Sequence, residues 1–203
     1  MQEVYLDSYY IDSYEVTNAA YRVCVEEGGC ARPYSTKRFD SSSYANHPVA
    51  FVDWNQAKTY CEWRGTQLPT EAQWEKAARG VDGRTYPWGE GIDCDKANYD
   101  KECVGDTTEV GSYESSKSPY GLYDMAGNVW EWVNDWYSDV YYQSSPLNNP
   151  LGPDDGELRV QRGGSWSSGD FLAQSFLRLY GDPVEKNYVS GFYGFRCARN
   201  VTP

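Results

Sequence analysis

Histidine is nearly absent: the 203 residues contain one, His47, followed directly by Pro48. Sites that need several imidazoles, such as an iron centre held by histidines or a mixed Cys/His zinc site, have too few ligands here. A Ser-His-Asp relay has no support from a lone loop histidine, so His47 reads as a loop or surface residue. Long apolar runs are missing as well, and no stretch approaches the 18 or so residues of a membrane span. Met1-Gln2-Glu3-Val4-Tyr5 shows neither the basic nor the apolar part of a secretory signal, and because the chain opens at once in a strand-like pattern, an upstream signal or domain is expected to precede Met1. No glycine-rich phosphate cradle stands before a helix. Basic charge is scarce: 18 Lys and Arg against 30 Asp and Glu give a net charge of −12. That balance repels nucleic acid and anionic membranes and suits divalent cations or basic partners.

Aromatic residues are abundant instead, at 16% of the chain with 19 Tyr and 8 Trp. Burial must then come largely from rings, which favours irregular, loop-rich packing. The length suits one domain, residues 1–203, with no internal linker. Six cysteines form an even set: Cys24 and Cys30 flank Gly28-Gly29, Cys94 and Cys103 lie nine apart in a polar loop, and Cys61 and Cys197 remain. A disulfide framework is expected over a zinc site, which would want tighter Cys spacing or more histidine. It implies an oxidising setting, that is, an extracellular, cell-surface or periplasmic location.

Val4 to Ile11 is β-branched and aromatic and predicts an opening strand or hairpin. Thr17 caps a helix from Asn18 to Glu27, which Gly28-Gly29 stop. Pro48 to Val52 predicts a short buried strand, after which Asp53 caps a helix carrying Trp54, Ala57 and Cys61 and ending at Gly65. Thr70, with Gln73 three residues on, starts another helix that ends at Gly80. From Tyr86 to Pro119 the chain is a long oxygen-rich loop, which needs a disulfide or a cation to order it. The residues from Ser167 to Tyr193 keep neither a helical nor a strand period and read as loops with short extended pieces. They lie between two rigid-looking frames, Arg162-Gly163-Gly164-Ser165-Trp166 and Gly194-Phe195-Arg196-Cys197-Ala198-Arg199.

Six motifs in order, Thr17-Asn18, Leu68-Pro69-Thr70-Glu71-Ala72-Gln73-Trp74-Glu75, Tyr86-Pro87-Trp88-Gly89, Gly127-Asn128-Val129-Trp130-Glu131-Trp132 and the two frames, resemble the formylglycine-generating enzyme (sulfatase-modifying factor) family. The resemblance covers essentially the whole chain. It implies an α+β, C-type lectin-like fold with little regular secondary structure and with structural calcium. One calcium would use Asp124, Glu131 and the carbonyls of Gly127 and Val129. A second would use Asn98, the Tyr99 carbonyl and Asp106. The resemblance also pairs Cys61 with Cys197. It fails at the chemistry, because enzymes of the family hold copper with two cysteines shortly after the Gly-Gly-Ser motif, and no cysteine lies between Cys103 and Cys197. Counting from Ser165 puts Ser168 and Ala173 at those positions. Calcium is therefore expected and copper is not.

The expected function is ligand binding without catalysis, to a protein or small molecule, through the segment of about 166–193. Its contacts are expected among Trp166, Ser168, Asp170, Phe171, Leu177, Tyr180, Glu185, Tyr188 and Phe192, rich in large rings that lose little rotamer freedom. The frame also resembles the variable region of proteins diversified by diversity-generating retroelements, whose randomised Asn codons reach the Ser, Gly, Asp, Phe, Leu, Tyr, Val and Asn found between the frames. Two alternatives are an enzyme of a neighbouring branch of the family and a regulatory domain of a larger protein.

Overall fold

The computed structural model describes residues 3–184 and 191–201. Three α-helices lie in the first half of the chain: α1 (Asn18–Glu26), α2 (Trp54–Trp63) and α3 (Glu71–Arg79). Each starts where a short polar side chain can accept a backbone N–H. Thr17 accepts from Ala20, Asp53 from Gln56 and Thr70 from Gln73, and the glutamines of the last two return the bond as capping boxes. The caps and stops read in the sequence are thus the observed ones.

Besides four short 3-10 turns, the described residues form six strands: β1 (Tyr9–Ile11), β2 (Trp130–Trp136), β3 (Arg159–Arg162), β4 (Leu179–Gly181), β5 (Tyr193–Gly194) and β6 (Ala198–Asn200). The main sheet runs β4-β3-β2-β5, with β5 parallel to β2 and the other pairs antiparallel. β1 pairs only with β6, bringing the two ends of the domain together. The register slips between Trp132 and Trp136, which curls the sheet.

Two strand expectations shrink. The opening strand is three residues long, since Tyr5 makes only a bridge to Asn148. Pro48 to Val52 is buried but not a strand: Pro48 bridges Thr17, and Phe51 takes a φ of 60°, which breaks the extended run.

Rings fill the core. Tyr21 stacks on Tyr60 at 5.4 Å, and Phe195 meets both edge-on at 6.3 and 5.4 Å. Trp74, Met125, Val133 and Val160 pack α3 on the sheet, and Tyr86, Ala126 and Ala173 form a further small cluster. Disulfides join Cys24 to Cys30, Cys61 to Cys197 and Cys94 to Cys103. All three expected pairs are present, and they fit an oxidising compartment. Among the described residues no helix is long and apolar enough to cross a membrane.

Candidate functional site

Two fully buried arginines fix the frames. Arg162, closing β3, donates to Glu71 (2.8 Å), to Glu75 (2.8 Å) and to the Ser175 carbonyl (2.7 Å), so the same side chain that anchors the first frame ties down the middle of the segment. Arg178, inside the segment, grips both oxygens of Glu71 at 2.6 and 2.8 Å and donates to the Ser138 carbonyl. Glu71 at the start of α3 is thus shared by two guanidiniums, the charge-assisted geometry that holds a loop without regular structure. At the second frame Arg196 pairs with Glu131, and Cys197 is bonded to Cys61.

Between the frames the expected contact residues divide into groups. Ser168 does not face solvent: it is buried, and its Oγ accepts from the Ser165 N–H at 2.9 Å and lies 3.0 Å from the Ser165 Oγ. Its role is to lock the turn after the first frame, and it leaves the contact set. Gly164 makes that turn possible, because at φ 80° a Cβ would sit 3.0 Å from the Leu172 carbonyl and the Ala173 Cα.

Trp166 and Phe192 form one group. Their rings lie 5.1 Å apart, the Trp166 indole N–H donates to the Gly191 carbonyl, and the Arg38 guanidinium lies over the Trp166 and Phe51 rings at 5.9 and 5.7 Å. Asp170 and Phe171 form a second, on a single turn (Asp170–Ala173) whose Asp170 carbonyl accepts from the Tyr86 hydroxyl. Tyr180 is the third, on β4 with its ring 4.3 Å from Tyr137. Leu177 is half-buried. Glu185 and Tyr188 lie outside the described residues.

The sequence reading missed the upstream partners Arg38, Phe51, Tyr86 and Trp88. For Tyr86 and Trp88 the signal was present in the Tyr-Pro-Trp-Gly motif; for Arg38 and Phe51 no local pattern marks a contact across more than a hundred residues. A groove of about 910 Å³ runs beside α3, lined by Glu75, Lys76, Arg79, Asp139 and Tyr142, and it adjoins the segment where Arg79 lies over the Phe176 ring.

The residues assigned to calcium cluster around Arg196. Glu131 accepts from Arg196 at 2.7 and 2.8 Å and from the Trp74 indole at 2.9 Å; Asp124 accepts from the Gly111 N–H at 2.7 Å. Glu15, fully buried, caps the same turn through the Val129 N–H and the Asn128 side chain. Three carboxylates thus crowd one guanidinium. Burial, and then the neighbouring Asp124 and Glu131, hold Glu15 well above the usual carboxylate range, and burial pushes Asp124 up to about 6 against the pull of the Gly111 N–H and Arg196. Both oxygens of Glu131 are already engaged by Arg196, and a divalent cation here would have to be held by Asp124, Glu131 and the Gly127 and Val129 carbonyls together. Among the described residues no three acidic, His or Cys side chains are set to hold a metal, so carbonyl oxygens would have to contribute.

The second set fits at one point. The Asn98 side-chain oxygen is buried without a partner among the described residues, whereas Asp106 already pairs with Arg38 at 2.5 Å and accepts from the Tyr44 hydroxyl. Gly127 is required between the two sets: at φ 86° a Cβ there would lie 2.4 Å from the Asn98 carbonyl.

Three helices, a curled mixed sheet and long pinned loops define a C-type lectin-like domain. Residues 1–201 match the sulfatase-modifying factor enzyme 1-like domain, and the chain belongs to that family. Serine/threonine-protein kinase Pkn1 of Chlamydia trachomatis is 48% identical over 161 residues, covering 78% of this chain and 25% of the kinase. The formylglycine-generating enzyme of Streptomyces coelicolor is 39% identical over 178 residues, covering 81% of this chain and 56% of the enzyme. The chain therefore spans between a quarter and just over half of these relatives. In fold it is similar to Treponema denticola variable protein 1, with a TM-score of 0.80 at 24% identity over 98% of this chain and 87% of that one.

Proposed function

We propose that this domain is a non-catalytic ligand-binding module whose recognition surface is the segment of about 166–193. The observation that carries this reading is a contrast in exposure. Arg162 to Ser165 and Gly194 to Ala198 are buried, while between them Phe171, Phe176, Tyr180 and Val184 are 59, 42, 46 and 55% exposed. Large apolar side chains standing out of a pinned loop are what a hot spot needs. The reading is supported by the cysteines: all six are tied up in disulfides, and Ser168 and Ala173, at the positions counted for the thiolates, are buried. A structural calcium at Asp124 and Glu131 belongs to the proposal as a brace for the turn under the surface. A scaffold shared with a protein named as variable is compatible with a diversified segment.

The test is sequencing of the locus around the gene. A near-identical repeat of the codons for 162–199, differing only at adenines and lying beside a reverse transcriptase, is the expected result. A second assay offers a cysteinyl peptide, Cu(I) and oxygen to the protein; conversion of the cysteine to an aldehyde would overturn the non-catalytic reading. A second reading, a regulatory domain of a longer protein, is favoured by the 48% identity to a quarter-length part of a kinase. A kinase domain in the same reading frame would support it.

A further inference from the structure

The group around Phe171 has a chemistry of its own. Tyr86 and Trp88 stack nearly parallel, 5.6 Å apart with 6° between the rings, Tyr86 buried below and Trp88 half-exposed. Tyr99 and Trp88 both pack against the small cluster that holds Ala173, the last residue of the turn bearing Asp170 and Phe171. The chain is closed up here from three sides: the Tyr86 hydroxyl donates to the Asp170 carbonyl, the Asp100 N–H to the Ser168 carbonyl, and the Ser175 N–H to the Thr85 carbonyl. On this closed-up stretch Phe171 is 59% exposed, and Trp88 and Tyr99 are half-exposed.

Acidic charge predominates around these rings. Glu90, Asp100 and Asp170 belong to the loops that carry them, and none of the three takes part in an ion pair among the described residues. Two lysines belong to the same loop: Lys96 is engaged with Asp93 and the Gly91 carbonyl, and Lys101, next to Asp100, is exposed. Burial raises the Tyr99 phenol, and the nearby charges of Asp100, Asp170 and Asp93 raise it further. An aromatic surface beside unpaired carboxylates attracts a cation twice, through the ring quadrupole and through charge.

We infer that the Trp88–Tyr99–Phe171 face, rimmed by Glu90, Asp100 and Asp170, docks a cationic side chain of a partner, an arginine or lysine presented by a peptide. The inference rests on the ligand-binding reading of the 166–193 segment and names its ligand chemistry. The net charge of −12 draws such a partner in from a distance, and the rings select its planar or methylene-rich part at contact.

The test uses the intact protein and two capped peptides, Gly-Arg-Gly and its uncharged isostere Gly-citrulline-Gly, followed by Trp fluorescence. The arginine peptide is expected to bind at least tenfold more tightly than the citrulline one. The Asp170→Asn/Asp100→Asn variant, which keeps size and shape, is expected to remove most of that preference, while Asp154→Asn/Asp155→Asn, an exposed acidic pair on another loop, leaves it in place. Equal affinity for the two peptides, or equal loss in both variants, overturns the inference. A random-peptide display selection on the same protein separates the two layers. Enrichment of Arg and Lys that vanishes in Phe171→Ala supports the inference. Selected neutral or acidic peptides that need Phe171 overturn the cationic ligand but leave the recognition surface, and selected peptides indifferent to Phe171 and Tyr180 overturn both.

Discussion

Arg196 and Glu131 meet as a bidentate pair with no exposure to solvent, at 2.7 and 2.8 Å, and the guanidinium also donates to the Asp12 and Tyr123 carbonyls. One frame of the recognition segment is thereby clamped to β2 and to the chain's first turns. Removing one member leaves a buried charge without its partner. Glu131→Gln should therefore lower stability by about 3–5 kcal/mol, whereas replacing both together by apolar residues of similar volume should cost far less. Urea unfolding of the two variants checks this, and a single variant within 1 kcal/mol of the natural protein would contradict it.

The disulfides should rank by the loops they close. Cys61–Cys197 spans 136 residues and Cys24–Cys30 only 6. On the chain-entropy model, loss of the first costs about 5 kcal/mol and loss of the second about 2 kcal/mol. Paired Cys→Ser variants compared by chemical denaturation give the order, and a larger loss for the short loop would show that strain or local packing dominates.

The sequence made the helices legible because their signals are local: Thr17, Asp53 and Thr70 each lie within three residues of the amide they cap. The motif order made the lectin-like fold legible as well. What stayed hidden is set at long range. Nothing near Ser168 says that its hydroxyl turns inward to Ser165, and nothing near Phe51 says that a left-handed backbone will end an apolar run that otherwise reads as a strand. The recognition segment was located from its frames, but its division into groups depends on Arg38, Tyr86 and Tyr137, which reach it from loops far upstream.

Calcium should stabilise the domain through Asp124 and Glu131. After treatment with a chelator, adding calcium at a hundred times its dissociation constant is expected to contribute about 2.7 kcal/mol. In a domain of this size that is a rise of roughly 5–10 °C in the thermal midpoint. Asp124→Asn should reduce the rise. A midpoint indifferent to calcium and chelator would remove the cation from the proposal.

Asp135 makes stability depend on pH in a direction opposite to that of an ordinary paired carboxylate. It is buried on β2, one oxygen accepts from the Glu71 N–H at 2.7 Å, and the other has no partner among the described residues. Burial and the neighbouring Glu71 charge push it up to about 7, against the pull of the Glu71 N–H, Arg178 and Arg162. In the unfolded chain the same group titrates near ~4. Between those values the folded protein holds a proton that the unfolded chain has released, so stability is fully present below about pH 4 and is lost as pH rises toward 7. Three units correspond to about 4 kcal/mol. Asp124 and Glu15, also raised, add slopes of the same sign, so the readout is the difference between the natural protein and Asp135→Asn. Unfolding free energies measured from pH 4.5 to 7.5 should fall less steeply in the variant, and parallel curves would show that Asp135 is ionised throughout.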